Sequence, residues 1–292
     1  MSVIAAEPAL IARKPRGAQL RRFARRNPTI VAGGAILTVI ALLAIFAPLF
    51  AGDAITMQPA QRLRPPSDTN WFGTDHLGRD VFARTVYGAQ ISLFVGIAVA
   101  AMSIVGGLFI GLLSGYFRRV DAVVMRLMDG LMAIPAILLA IALVALTRTS
   151  VSTVIIAITI PEIPRVVRLV RAVVLSVREA PYVEAAIMAG TRTPLLLVRH
   201  VLPNTIPALI VQGTFICANA ILIEAILSFL GIGIPPETPT WGNIMAEGRG
   251  LFRLYPHNIF FPGICLALTV LAVNVLGDGL RDRLDPKLAR RV

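Results

Sequence analysis

Six apolar stretches punctuate this chain: Thr29 to Phe50, Ile91 to Ser114, Ala122 to Leu146, Val151 to about Val174, Thr205 to Leu230 and Ile259 to about Leu280. A helix needs about 20 mostly apolar residues to cross a hydrocarbon core roughly 30 Å thick, so each stretch has the length for one crossing. The fourth is the least uniform, because its clean run Val151 to Ile160 is followed by Pro161, Glu162, Pro164 and Arg165. It still counts as a crossing, since treating it as a loop leaves the flanking charges on the wrong sides. Composition agrees: 56% of the 292 residues are hydrophobic, 15% are charged, and the mean hydropathy is +0.77. One soluble core cannot bury that proportion of apolar residues. The sequence therefore predicts an all-α membrane protein with six transmembrane helices.

Basic residues orient the spans. The chain carries a formal net charge of +12, which in a soluble protein would point to nucleic acid. Here the arginines cluster between apolar runs, so no nucleic-acid partner is expected. Arg13, Lys14, Arg16, Arg21, Arg22, Arg25 and Arg26 precede the first span, and cytoplasmic segments collect such residues. Threading six spans from a cytoplasmic N-terminus places 21 of the 28 basic residues inside, with both termini cytoplasmic. The first apolar run is 22 residues long and ends without a small-residue cleavage pattern, so it reads as a retained anchor rather than a signal peptide. This divides the chain into a basic tail (1–28, its first 20 residues flexible), a first span with its extracytoplasmic loop (29–90), and a five-span core (91–292). Cys217 and Cys265 lie inside apolar stretches and read as packed thiols.

The cytoplasmic connection 175–203 has helix signals of its own. Pro181 suits a first turn, Glu184 sits where the helix dipole favours an anion, and Gly190 is a natural stop. A second short helix starts at Thr193-Pro194 and is expected to end at Pro203. On the first, Ala185 and Ala189 are four apart, as are Ala186 and Gly190, which leaves a strip with almost no side-chain bulk beside Tyr182 and Met188. Such a strip either rests on its own bundle or lets a partner approach the backbone closely.

Glu184-Ala185-Ala186, then Gly190 after three residues, then Leu202-Pro203 after eleven more, resembles the EAA loop of ABC-importer permeases. The resemblance extends over nearly the whole chain and is nearest to the DppC/OppC type. It is carried by Arg25 to Pro28, by Phe72-Gly73-Thr74-Asp75-His76-Leu77-Gly78-Arg79-Asp80, by Leu227 to Gly231, by Pro239 to Asn243 and by Leu276 to Asp282. Where that family commonly has Trp-Pro-x-Tyr-Ala-Arg, this chain reads Ile160-Pro161-Glu162-Ile163-Pro164-Arg165. The resemblance implies a type I importer fold in the bacterial cytoplasmic (inner) membrane. It also implies a homologous second permease, two ABC ATPase subunits, an extracytoplasmic solute-binding protein, and di- or oligopeptide as cargo, with nickel or another small solute as the alternative. Tyr182, Glu184, Ala185, Ala186, Ala189, Gly190, Leu202 and Pro203 would then form the contact with the ATPases.

The sequence supplies no ATP chemistry of its own. A P-loop needs Gly-Lys-Ser/Thr, and neither Lys14 nor Lys287 follows a glycine. ATP and Mg²⁺ are expected in the partner subunits, with no cofactor and no catalytic residue in this chain. His76, His200 and His257 all fall in loops, which removes the base that an intramembrane Ser/His enzyme requires. A stand-alone secondary transporter or channel is the other class; it predicts inverted repeats, which are not evident, and gives the 175–203 loop no purpose. Gly73 to Asp80, with Asp75, His76 and Asp80, suggests either a metal site or a structural turn capping the bundle, and the turn is favoured. Val81 to Ala89 reads as an amphipathic stretch along the outer interface.

Ionisable residues inside spans are costly and face the bundle interior or a wet cavity. Glu224, with Asn219 nearby, either contacts the amine of passing cargo or makes a buried helix-to-helix hydrogen bond, the latter being favoured. Glu162 lies where Pro161 and Pro164 are expected to break the helix beside a cavity. Asp129 and Arg126, three apart, are expected to pair.

Overall fold

A computed structural model describes residues 24–284. The tail before Ala24, including the segment expected to be flexible, and residues 285–292 lie outside the described residues. The described chain is helical: α1 Pro28–Ile45, α2 Ala47–Phe50, α3 Val81–Tyr116, α4 Arg118–Met132, α5 Ala136–Ala145, α6 Val151–Arg178, α7 Pro181–Met188, α8 Thr193–Leu196, α9 Leu202–Phe229, α10 Trp241–Gly248 and α11 His257–Leu284. α1, α3, the run Thr193–Phe229 and α11 are each long and apolar enough to cross a membrane. α4 and α5 together pass the same test but bend by 85° at their junction. α6 is 28 residues long and carries Glu162, Arg165, Arg168, Arg171 and Arg178, which keeps it from meeting that criterion.

Small residues set the helix spacing, as expected where lipid gives helices no hydrophobic reason to associate. Gly107, Gly111 and Gly115 of α3 abut Val166, Val170 and Val174 of α6; a Cβ at these positions would lie 2.4, 2.7 and 2.6 Å from the respective valine Cβ atoms. Because both series ascend together, α3 and α6 run parallel. Gly96 meets Ile221 and Gly213 meets Ile104, so α9 runs antiparallel to α3. Gly33 meets Ala272 and Leu276 while Gly279 meets Ile30, so α1 and α11 are antiparallel. One end of the bundle therefore gathers Phe50, Val81, Phe229 and His257, and the other gathers Pro28, Tyr116, α7 and Leu284. The Gly107/Gly111 pair is used within the chain rather than against a second subunit. Gly111→Leu is expected to force α3 from α6 and cost roughly 1–3 kcal/mol, visible as a lowered thermal midpoint in detergent; an unchanged midpoint contradicts this packing.

The structure departs from the sequence-based expectations at six places, the first being that His200 and His257, expected in loops, lie in a π-turn and at the first position of α11. The third apolar run is two helices, because Pro135 cannot continue a helix and Ala133 ends the first. Conversely, Pro161 and Pro164 lie within a continuous α6, where the packed neighbours α3 and α9 hold the helix despite the lost backbone bonds. Pro203 does not end the second short helix: a π-turn, Leu197–Val201, leads directly into α9, and Pro203 occupies a first-turn position that needs no N–H donor. Val81 to Ala89 is the first part of the 36-residue α3, not a separate surface helix, and most of it is buried, with Ala47, Ala51 and Ala54 against Ala83 and Val86, and Trp241 of α10 against Ala89. Asp129 pairs with Arg168 of α6 at 2.5 Å instead of Arg126, and Asp121 with Arg171, so these charges tie α4 to α6. Both cysteines are free.

Candidate coupling surface and buried polar sites

α7 stands at the end of the bundle. Pro181 occupies its first turn, and Val183, fully buried, is the residue that anchors it. At the other end Gly190 adopts φ +77°, a left-handed conformation that glycine enters without a Cβ penalty. Its N–H donates to the Ile187 carbonyl at 2.9 Å and the Thr191 N–H to the Ala186 carbonyl at 3.1 Å. This is the Schellman arrangement, which satisfies carbonyls that a helix end otherwise leaves open. The helix therefore stops where the sequence indicated. Its outward surface includes Tyr182, Glu184, Ala185, Ile187, Met188, Ala189 and Gly190, all exposed, with Met188 at 90%. Ala186 is half-buried.

The expected site residues fall into two groups. Tyr182, Glu184, Ala185, Ala189 and Gly190 share one exposed surface, while Leu202 and Pro203 open α9 immediately beside it. Asn204, which sequence reasoning passed over, links the two groups: its Nδ2 donates to the Tyr182 hydroxyl at 3.2 Å and to the His200 carbonyl at 2.7 Å. The signal for it was its place directly after Leu202-Pro203, in the run from His200 to Asn204. Next to Pro203 and Asn204 a cavity of about 650 Å³ opens between α6, α9 and α11, bordered by Leu169, Gln212, Phe215 and Arg281.

Glu162, Asn219 and Glu224 do not form one site. Glu224 is fully buried; Ser92 of α3 donates to it at 3.2 Å and Ser228, one turn along α9, at 2.8 Å. Asn219 instead donates to Glu162 at 2.7 Å. Glu162 is also fully buried and takes the guanidinium of Arg165 at 3.3 Å, a residue whose side chain is 48% exposed. Glu224 is thus closed off by hydroxyls, whereas the Glu162 group has an open side. Glu224→Gln keeps acceptor and shape, so it is expected to change transport by less than about threefold, within the net worth of one hydrogen bond. A larger loss in an uptake assay would assign Glu224 a role beyond packing.

At the opposite end, Asp75 anchors the turn that the sequence marked between Gly73 and Gly78. Its Oδ1 accepts the backbone N–H groups of Leu77 and Arg79, and its Oδ2 accepts Arg79 Nε and Arg84 Nη1, both at 2.7 Å. Both guanidinium groups also reach Glu247 of α10. Two cations and two anions thus join the long loop, α3 and α10 in a cluster almost closed to water. Burial pushes the Asp75 carboxyl up, but the Arg79 backbone bond and the charges of Arg79 and Arg84 outweigh it and hold the group below the ordinary carboxylate range. Asp75, His76 and Glu247 are the group among the described residues close enough to share a metal. Their carboxylates are already committed to arginines, and Asp80 caps α3 by accepting the Phe82 N–H. The arrangement fits a structural clasp, not a metal centre.

Those features describe a helical membrane subunit with one exposed peg and no assembled catalytic group among the described residues. The chain belongs to the family described as "Binding-protein-dependent transport system inner membrane component", whose model matches residues 103–290. Residues 17–66 match the "N-terminal TM domain of oligopeptide transport permease C". Among curated relatives, the "Probable peptide ABC transporter permease protein y4tQ" of Sinorhizobium fredii is 57% identical over 92% of this chain and 93% of its own. The oligopeptide transport system permease protein OppC of Bacillus subtilis is 40% identical over 91% and 88%. A chain of the MetNI methionine ABC transporter, in an inward-facing form, superposes with a TM-score of 0.53 at 18% identity, covering 68% of this chain and 95% of that one. That likeness establishes the permease fold. The protein is a multi-pass component of the bacterial inner membrane.

Proposed function

We propose that this chain is one of two permease subunits of an ATP-driven importer for di- or oligopeptides. In this reading it crosses the membrane six times with both termini cytoplasmic: α1, α3, the bent α4–α5 pair, α6, α9 and α11. The reading is carried by α7, whose outward surface holds a strip of small residues, Ala185, Ala189 and Gly190, and is joined to the start of α9 through Tyr182 and Asn204. Two ATPase subunits, holding the ATP and Mg²⁺, each engage one permease; closure around nucleotide moves α7, and the contact with α9 passes that movement into the spans. The exposed strip comprises Ala185, Ala189 and Gly190, with Tyr182 and Glu184 beside it and Ala186, Leu202 and Pro203 at its base.

Cargo arrives from an extracytoplasmic solute-binding protein, which sets most of the specificity. The Glu162–Asn219–Arg165 group borders the path within the membrane, and the cavity beside Asn204 forms part of its inner mouth. Peptide cargo is supported by the relatives named for peptide transport. The test is to purify the chain from its native membrane with its partners and identify the solute-binding protein that accompanies it. A peptide-binding protein that stimulates ATP-dependent peptide uptake in proteoliposomes supports the reading, and a protein that delivers nickel or another small solute replaces the cargo assignment.

A further inference from the structure

We propose that the long loop between α2 and α3 rests on the membrane, with Trp71 seated among the headgroups and upper acyl chains of the extracytoplasmic leaflet. This inference goes beyond the transport reading and requires only that α1, α3 and α11 lie in a bilayer. The loop reads as extracytoplasmic from the distribution of charge, and tryptophan, though rarely sealed completely, is on average a highly buried side chain in proteins that face water. Trp71 is instead 62% exposed. Its ring packs at 4.8 Å from Phe82, in the first turn of α3, and Phe82 in turn lies 6.3 Å from Phe50 at the end of α2. The next residue, Phe72, stacks on Phe261 of α11 with ring centroids 4.0 Å apart and planes within 7°.

The loop therefore returns its tip to the level at which three spans end. The same end of the bundle exposes further large apolar side chains, Leu49 at 80% beside Phe50 in sequence and Phe260 at 61% beside Phe261. The indole N–H of Trp71 has no protein acceptor among the described residues, whereas that of Trp241 donates to the Thr85 carbonyl at 3.0 Å. An apolar ring with one unmet donor suits the boundary where acyl chains meet carbonyl and phosphate oxygens, and tryptophan collects there for that reason. A binding-protein contact would need the same ring to face water in the unliganded transporter.

The chain has two tryptophans, so the fluorescence of the wild-type complex minus that of Trp71→Phe isolates Trp71. The complex is reconstituted into vesicles of phosphatidylethanolamine and phosphatidylglycerol, with or without lipid brominated near the top of the acyl chain. Trp71 is expected to lose about half or more of its emission to the brominated lipid and much less to aqueous iodide, as befits an interfacial ring. Ready quenching by iodide with little effect of bromine overturns the proposal and turns the loop toward water or a protein partner. If Trp71→Phe fails to fold, Trp71→Tyr, which keeps an amphipathic ring and is not excited with the indoles at long wavelength, supplies the same difference.

Discussion

Ala185→Trp is expected to leave the chain folded and inserted while cutting ATP-driven uptake roughly tenfold or more. The fold should survive because Ala185 is exposed, so a larger side chain there points into open space rather than into the core. Helix propensity costs only about 0.5 kcal/mol for such a change. The loss arises between subunits: a strip built of alanine and glycine lets another surface reach the backbone, and an indole there holds the two apart. Overpacking a close contact costs about 1–3 kcal/mol, and about 1.4 kcal/mol is tenfold in association. Ala185→Ser adds one small atom and should retain most uptake. If Ala185→Trp transports like the wild type, α7 is not the contact with the motor.

Arg84→Met should have the largest effect on stability. Arg84 is 1% exposed and holds Asp75 and Glu247 together with Arg79. Removing one cation leaves two carboxylates facing a single guanidinium in a site nearly closed to water. Breaking a buried pair from one side typically costs about 3–5 kcal/mol, a large part of a total stability of about 5–15 kcal/mol. A sharp fall in thermal midpoint and in membrane yield is expected, and Glu247→Gln in the same chain should recover part of it by restoring the charge balance. An unaltered midpoint for Arg84→Met would show that the cluster contributes nothing net. The pH dependence has a definite sign. Asp75 titrates lower in the folded chain than in the unfolded one, so its contribution is complete above about pH 4 and is lost as pH falls through the lowered folded value. Acid should therefore lower the midpoint of the wild type more than that of Arg84→Met.

Much of this arrangement is readable from residue spacing, because its causes are local. Apolar runs set the spans, Pro181 and Gly190 set the ends of α7, and Gly73 and Gly78 mark the turn around Asp75. What escaped the sequence depends on which helices become neighbours. Pro161 and Pro164 read as a break, yet α6 continues through them because α3 and α9 pack along it. Asp129 has Arg126 at pairing spacing along its own helix, but Arg168 reaches it from α6. Glu224 and Asn219 are five residues apart, which on a helix points their side chains to different sides, and they join different partners in consequence. The clasp joins Asp75 to Glu247 across more than 170 residues of chain, and no local pattern announces such a contact.

The central claim is that this chain is a gate worked by a motor it does not contain. The direct measurement is uptake into liposomes carrying the purified chain alone, compared with liposomes carrying it together with its partner permease, its ATPases and its solute-binding protein. The account predicts uptake above background in the full assembly, dependent on ATP hydrolysis, and none from the single chain under any ion gradient. Sustained uptake by the single chain without nucleotide would contradict it.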